Sequence, residues 1–306
     1  AYLDVLSQAS QDAYHERLQQ ALDELPNQAA TMEWEDRYRL IRLRDPLLKR
    51  ATAAGDLPAI LALYQKTLSD EKDCLKAAEL CMEYEAWDQV EAWLTYAAEC
   101  EAKNDYRWRL ERNRLEIRLK LHRSETDAAA EQQWGIYQHT QQLDDYRQLV
   151  ALMEAHNLAI VYRQRVCDWL LERITHPPEK MPSFWAQQAK DSLLEIYLFE
   201  GRLDDAHALC TEHQVSAHLL HNLAKALPSP DARIPLYLRL VRLYVKQTNN
   251  QGYRQSIALL KELKKSLETP AQYTAFAHML TQLRSEFKAK RNFIKWLDEA
   301  FSDTLK

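Results

Sequence analysis

Two segments of the chain concentrate side chains that bind anions. Residues 103–123, KNDYRWRLERNRLEIRLKLHR, carry eight Lys or Arg residues against three acids. Residues 287–301, FKAKRNFIKWLDEAF, place lysine and arginine among aromatic and aliphatic residues. Arginine forms bidentate contacts with carboxylate and phosphate groups, and lysine attracts them as a point charge. The candidate partner-binding residues are therefore Arg107, Arg114, Arg118, Lys288, Lys290 and Arg291.

Each segment also has a plainer interpretation, which we favour. In residues 103–123, Glu and Arg stand three or four positions apart, a spacing that forms surface ion pairs on a helix. From Tyr273 to Phe301, apolar residues recur at spacings of three and four, and Lys290 interrupts them. This pattern predicts a terminal capping helix, either one long helix or two nearly continuous helices with a break near residues 290–292. An inward Lys290 beside an acid would be structural, whereas a break there would favour a binding site.

Signatures of catalysis and of cofactor binding are missing from the sequence. There is no P-loop, no G-x-G-x-x-G, no G-x-S-x-G and no H-E-x-x-H. His218 and His221 stand at a metal-chelating spacing, but no recognisable ligand set accompanies them. The acidic pairs at 144–145 and 204–205 recur at the same repeat position, which favours helix starts over acid–base catalysis. We therefore expect a protein that is not an enzyme and holds no cofactor and no metal.

Composition predicts an all-α fold. Only 4 of 306 residues are Gly, which is too few for the many hairpin turns of an all-β fold. Strong helix formers dominate the composition instead. The net charge of −5 argues against a globally cationic nucleic-acid binder. No apolar run is long enough to span a membrane. The five scattered cysteines suggest neither a disulfide framework nor a zinc knuckle, which favours a reducing cytoplasm.

Matching stretches recur along the chain. Three follow glycines, GDLPAILALY from Gly55, GRLDDAHALC from Gly201 and GYRQSIALLK from Gly252, and two more begin at 86 and 142 without Gly. Their apolar anchors recur at spacings of about 30 residues or about twice that, which is typical of helical hairpin repeats. Glycine after a helix accepts a positive φ, so each unit is predicted as helix, short turn, helix. We therefore expect an α-solenoid of irregular, TPR-like helical hairpins.

Prolines indicate where the helices end. The run THPPEKMP at 175–182 predicts a division into a front array, residues 1–175, and a back array, residues 183–306, within one continuous solenoid. Pro46 and Pro270 are expected at further helix boundaries.

The C-terminal stretch YTAFAHMLTQLRSEFKAKRNFIKWLDE, residues 273–299, resembles the end of bacterial SWIM zinc-finger proteins. In those proteins an aromatic-rich helix is followed by Leu-Arg, a basic cluster and a final apolar helix. The C-x-C…C-x-H zinc motif of the family is absent from this sequence. The resemblance implies a helical scaffold attached to a binding module.

Together these patterns predict a helical-repeat scaffold that mediates protein–protein interaction. Its expected partner is another protein or another segment of a longer parent chain, because solenoids present extended binding surfaces. The alternative is a nucleic-acid-binding accessory domain that uses basic helices 103–123 and 284–295.

Overall fold

The computed structural model describes residues 7–25, 34–68, 70–100, 106–177 and 183–304, and the regular elements within these ranges are sixteen α-helices. The helices are α1 Gln8–Asp23, α2 Trp34–Ala54, α3 Leu57–Thr67, α4 Glu71–Glu83, α5 Trp87–Glu99, α6 Tyr106–His122, α7 Thr126–Thr140, α8 Leu143–Glu154, α9 Ala159–Thr175, α10 Ser183–Phe199, α11 Leu203–Glu212, α12 Ala217–Ala226, α13 Pro230–Lys246, α14 Asn250–Lys265, α15 Pro270–Glu286 and α16 Arg291–Phe301. The predicted all-α class is confirmed.

The chain divides into two compact units. The first is Ala1–Thr140, with helices α1 to α7, and the second is Gln141–Lys306, with helices α8 to α16. Within each unit most consecutive helices pack on each other, as in a solenoid. Helices α9 and α10, which flank residues 176–182, pack together inside the second unit. The two units therefore meet at residues 140 and 141, whereas the sequence predicted arrays at residues 1–175 and 183–306.

One type of turn recurs between helices. Every described residue with a positive φ lies two positions before the first residue of a helix: Gly55, Glu85, Ser124, Gln141, Asn157, Gly201 and Thr248. At five of these turns two backbone bonds close the end of the preceding helix. At the first turn, for example, Gly55 N–H donates to Thr52 O over 3.1 Å and Asp56 N–H donates to Ala51 O over 3.0 Å. This paired bonding satisfies carbonyls that the helix end would leave open.

The third predicted glycine turn is wrong. Gly252 lies inside the first turn of α14, and Thr248 takes the positive φ instead. The glycine serves close packing, because a Cβ at this position would approach Tyr244 O to 2.4 Å. A short separation of this kind is visible only once α13 and α14 are folded against each other.

Proline marks helix boundaries unevenly. Pro270 opens α15, as predicted, behind a capping box in which Thr269 and Gln272 bond reciprocally. Pro46, in contrast, lies inside α2. Leu40 and Leu47, on either side of it, are buried together with Leu22 and Leu63. Burial of such side chains offsets the backbone bond that proline removes.

The last two helices fold back on each other. Phe287 contacts Phe293 at the near end, and Phe276 contacts Phe301 at the far end, with ring centroids 5.9 and 5.6 Å apart. The predicted break near residue 290 is confirmed, since α15 ends at Glu286 and α16 begins at Arg291. The two helices run in opposite senses, however, so the prediction that they are one long helix or nearly continuous is wrong. Phe293, after this reversal, is fully buried, whereas Tyr273, in the first turn of α15, is 43% exposed.

Candidate functional site

Among the described residues of segment 103–123, four arginines pair with acids of the same unit. The ion pairs are Arg112–Glu71 at 3.4 Å, Arg112–Glu116 at 3.5 Å, Arg114–Glu111 at 3.2 Å, Arg118–Glu79 at 4.0 Å and Arg123–Glu91 at 2.6 Å. Glu71, Glu79 and Glu91 belong to α4 and α5, which pack beside α6. Arg114 and Arg118 therefore already neutralise acids of their own chain. The side chain of Arg107 lies outside the described residues.

The cations of the C-terminal turn have a different environment. Lys288 and Arg291 are exposed, Lys290 is half-buried, and within the described residues none of the three has an acid at ion-pair distance. The neighbouring acids already have partners. Glu286 pairs with Arg242 at 2.8 Å and Asp298 pairs with Arg284 at 3.2 Å. The turn between α15 and α16 consequently carries uncompensated positive charge.

Helix electrostatics do not explain this charge. Lys290 is the N-cap of α16, its side chain makes no capping bond, and the first turn contains no acid. The amino end of a helix has a partial positive charge, so acids stabilise it and cations there are unfavourable. Stability alone would place Asp or Ser at position 290. Because these cations do not stabilise the helix start, the basic cluster is a candidate binding feature.

A groove lies next to this cluster, between α14 and α16. The two helices run parallel, since Asn292 bonds Asn250 at 3.2 Å near their amino ends and Lys264 bonds Thr304 at 3.1 Å near their carboxyl ends. The groove has a volume of about 420 Å³ and is lined by Arg254, Ile257, Ala258, Lys261, Trp296, Glu299 and Ala300. Four of its lining residues are apolar, Ile257, Ala258, Trp296 and Ala300, and we call them the floor of the groove. The other three are charged, Arg254, Lys261 and Glu299, and we call them its edges.

The charges along the groove are mainly positive. Arg254 and Lys261 have no acidic partner among the described residues. The guanidinium of Arg254 lies 5.8 Å from the ring centroid of Trp296, which orients it at the groove edge. Glu299 is 3.9 Å from Lys295, one helical turn earlier, so its charge is partly balanced on its own helix. The arrangement suits carboxylates beside an apolar side chain.

Other titratable clusters perform structural tasks. His221 Nε2 lies 3.0 Å from a carboxylate oxygen of Glu262, and Tyr237 donates to the same carboxylate over 3.0 Å. These contacts join α12, α13 and α14. Burial raises the pKa of Glu262, but the Tyr237 hydroxyl and the neighbouring His221 and Lys225 together lower it by more, so the net pKa shift is downward. The acidic pairs at 144–145 and 204–205 stand in the first turns of α8 and α11, as the repeat pattern predicted.

Across the described ranges, no three His, Cys, Asp or Glu side chains lie close enough to hold a metal ion. Within the same ranges, no helix combines the length and apolar character that crossing a membrane requires.

Sequence reasoning missed the groove residues Arg254 and Lys261. They stand seven positions apart on one face of α14, more than thirty positions before Trp296 in the chain. Only the parallel packing of α14 and α16 brings them to the indole. The one available sequence signal was the helical spacing of Arg254, Ile257, Ala258 and Lys261, which mixes cations with apolar residues on one face.

No protein-family model matches the chain, and no curated protein matches it in sequence. The resemblance of residues 273–299 to SWIM zinc-finger proteins therefore stays a prediction.

Proposed function

We propose that this chain is a non-enzymatic helical-repeat protein that binds another protein, or another segment of a longer parent chain, through the surface formed by α14 and α16. The observation that carries the proposal is the unpaired positive charge at 288–291 beside the apolar groove of these helices. On α6, in contrast, Arg114 and Arg118 pair with Glu111 and Glu79 of the same unit. Exposed aromatic residues with flanking arginine are typical anchors of protein interfaces.

Nucleic-acid binding is the second candidate, and the same basic cluster favours it. Two observations weigh against it. Arg114 and Arg118, on the other predicted basic helix, pair with Glu111 and Glu79. The net charge of the whole chain is −5. A nucleic-acid complex would also leave the apolar floor of the groove unused.

Site-specific cross-linking in the source cell tests the proposal. A photo-reactive benzophenone side chain replaces Ala289, which is exposed between Lys288 and Lys290, and a control chain carries it at the exposed Ala128 of α7. We expect a discrete adduct from position 289 that protease destroys and nuclease leaves intact, and none from position 128. Charge reversal of the cluster, Lys288→Glu with Lys290→Glu and Arg291→Glu, should abolish the adduct. A nuclease-sensitive adduct would establish the second candidate instead, and the absence of any adduct would refute both.

A further inference from the structure

We propose that the groove between α14 and α16 takes an acidic amphipathic helix, whose apolar side chains pack on the floor beside Trp296 and whose carboxylates pair with Arg254 and Lys261. This inference rests on the proposed function and names the chemistry of the partner. Its starting point is the spacing along α14, where the groove residues Arg254, Ile257, Ala258 and Lys261 follow one helical face.

The apolar floor is shaped for side chains of another helix. Ala258 on one wall and Ala300 on the other are small, and the larger Ile257 and Trp296 lie beside them. Two helices that present small residues leave a hollow between them, and knobs from a third helix fill such hollows. A helix bound in such a groove presents its anchors at positions i, i+3, i+4 and i+7.

The charges select an acidic partner. Arg254 and Lys261 are separated by seven residues, which corresponds to about 10 Å along a helix axis at 1.5 Å per residue. Two carboxylates at positions i and i+7 of a bound helix span the same distance, with its apolar residues at i+3 and i+4 between them. The unpaired cations Lys288, Lys290 and Arg291 lie at the amino end of α16 and extend the positive surface beyond the groove.

Other occupants match the groove less well. In a symmetric dimer the same groove would face itself, and its net positive charge would repel that of the second copy, because Glu299 offsets only one of the two cations Arg254 and Lys261. Single-stranded nucleic acid binds by stacking bases on aromatic faces. The guanidinium of Arg254 already lies over the Trp296 ring, and Tyr253 meets the same indole edge-on at 6.3 Å. These contacts leave little of the indole for a base.

A designed peptide tests the groove directly. The probe is a fluorescein-labelled helical peptide of about 14 residues with Glu at i and i+7 and Leu at i+3 and i+4. A matched peptide has Gln in place of Glu. Fluorescence anisotropy with the full chain should show at least about tenfold weaker binding of the Gln peptide, and a steep loss of affinity with salt for the Glu peptide.

Two variants separate charge from shape. The double variant Arg254→Glu with Lys261→Glu reverses the charge of two groove residues. The variant Ala258→Trp fills the groove with a large side chain and leaves its charges unchanged. Each should weaken the Glu peptide at least about tenfold. The charge-matched control, Lys49→Glu with Lys76→Glu, changes two exposed cations of the first unit and should change the affinity by less than about twofold. Circular dichroism of each variant verifies that the helices are intact.

The remaining outcomes overturn the inference. They are equal binding of the Glu and Gln peptides, groove variants that bind like the wild type, competition by a single-stranded oligonucleotide, or a mass in solution that doubles through this surface. The cross-link at position 289 distinguishes the two proposals. A protease-sensitive adduct that survives both groove variants would keep the proposed function and reject the groove, whereas the absence of any adduct in the wild-type chain would reject both.

Discussion

Lys290→Asp should stabilise the fold and weaken binding at the same time. Lys290, the N-cap of α16, has φ −91° and ψ 74° and makes no capping bond. Asp56, the N-cap of α3, has nearly the same backbone angles, φ −86° and ψ 82°, and accepts from Ala59 N–H over 3.1 Å. Aspartate can therefore cap a helix from the conformation that Lys290 already adopts.

The size of the effect follows from two contributions. A good N-cap is worth about 1 kcal/mol over a poor one. Exchanging a cation for an anion beside the helix dipole adds about 0.3–1 kcal/mol. The unfolding free energy should rise by about 1–2 kcal/mol, and a unit of this size gains about 2–4 °C in melting temperature for each kcal/mol.

Thermal and urea unfolding, followed by circular dichroism, measure this gain. Lys288→Asp makes the same charge change in the same turn but cannot cap, so it should give only the smaller electrostatic part. Cross-linking from position 289 should fall in both variants. If Lys290→Asp lowers stability, then the lysine side chain holds the turn and the capping argument is wrong. If stability rises while cross-linking is unchanged, the cluster does not serve binding.

Three further predictions concern the core. Gly252→Ala should lower the free energy of unfolding in urea by about 1–3 kcal/mol, because its Cβ would approach the Tyr244 carbonyl oxygen to 2.4 Å. Gly135→Ala, in an open position on α7, should raise it by about 0.5–1 kcal/mol. Asp73→Ala should cost about 3–5 kcal/mol, because it strips Arg44 of its buried partner at 3.0 Å; an effect below about 1 kcal/mol would show that water reaches this pair. In the native chain at pH 8, a thiol reagent should label Cys100 first, because burial raises the pKa of the other four thiols, and rapid labelling of all five would contradict the packing.

Features that depend on neighbours in the chain could be predicted from sequence. Helix content, the turns at Gly55 and Gly201, and the start of α15 at Pro270 all follow from bonds that span a few residues. The candidate site was predictable only in part. Its basic turn was visible as a cluster of cations, but the groove depends on contacts between residues about forty positions apart.

The same distinction separates what the sequence determined from what the tertiary structure decided. Sequence alone specified an all-α chain and the positions of its cations, because helix propensity and charge are properties of the residues themselves. It could not specify which cations are neutralised. Arg118 lies 4.0 Å from Glu79 of another helix, whereas Lys290 has no acid at ion-pair distance among the described residues. Glu286 and Asp298, close to Lys290 in the chain, pair with Arg242 and Arg284. An ion pair forms only where packing brings two charges within a few ångströms, so only the folded chain shows which positive charge is left for a partner.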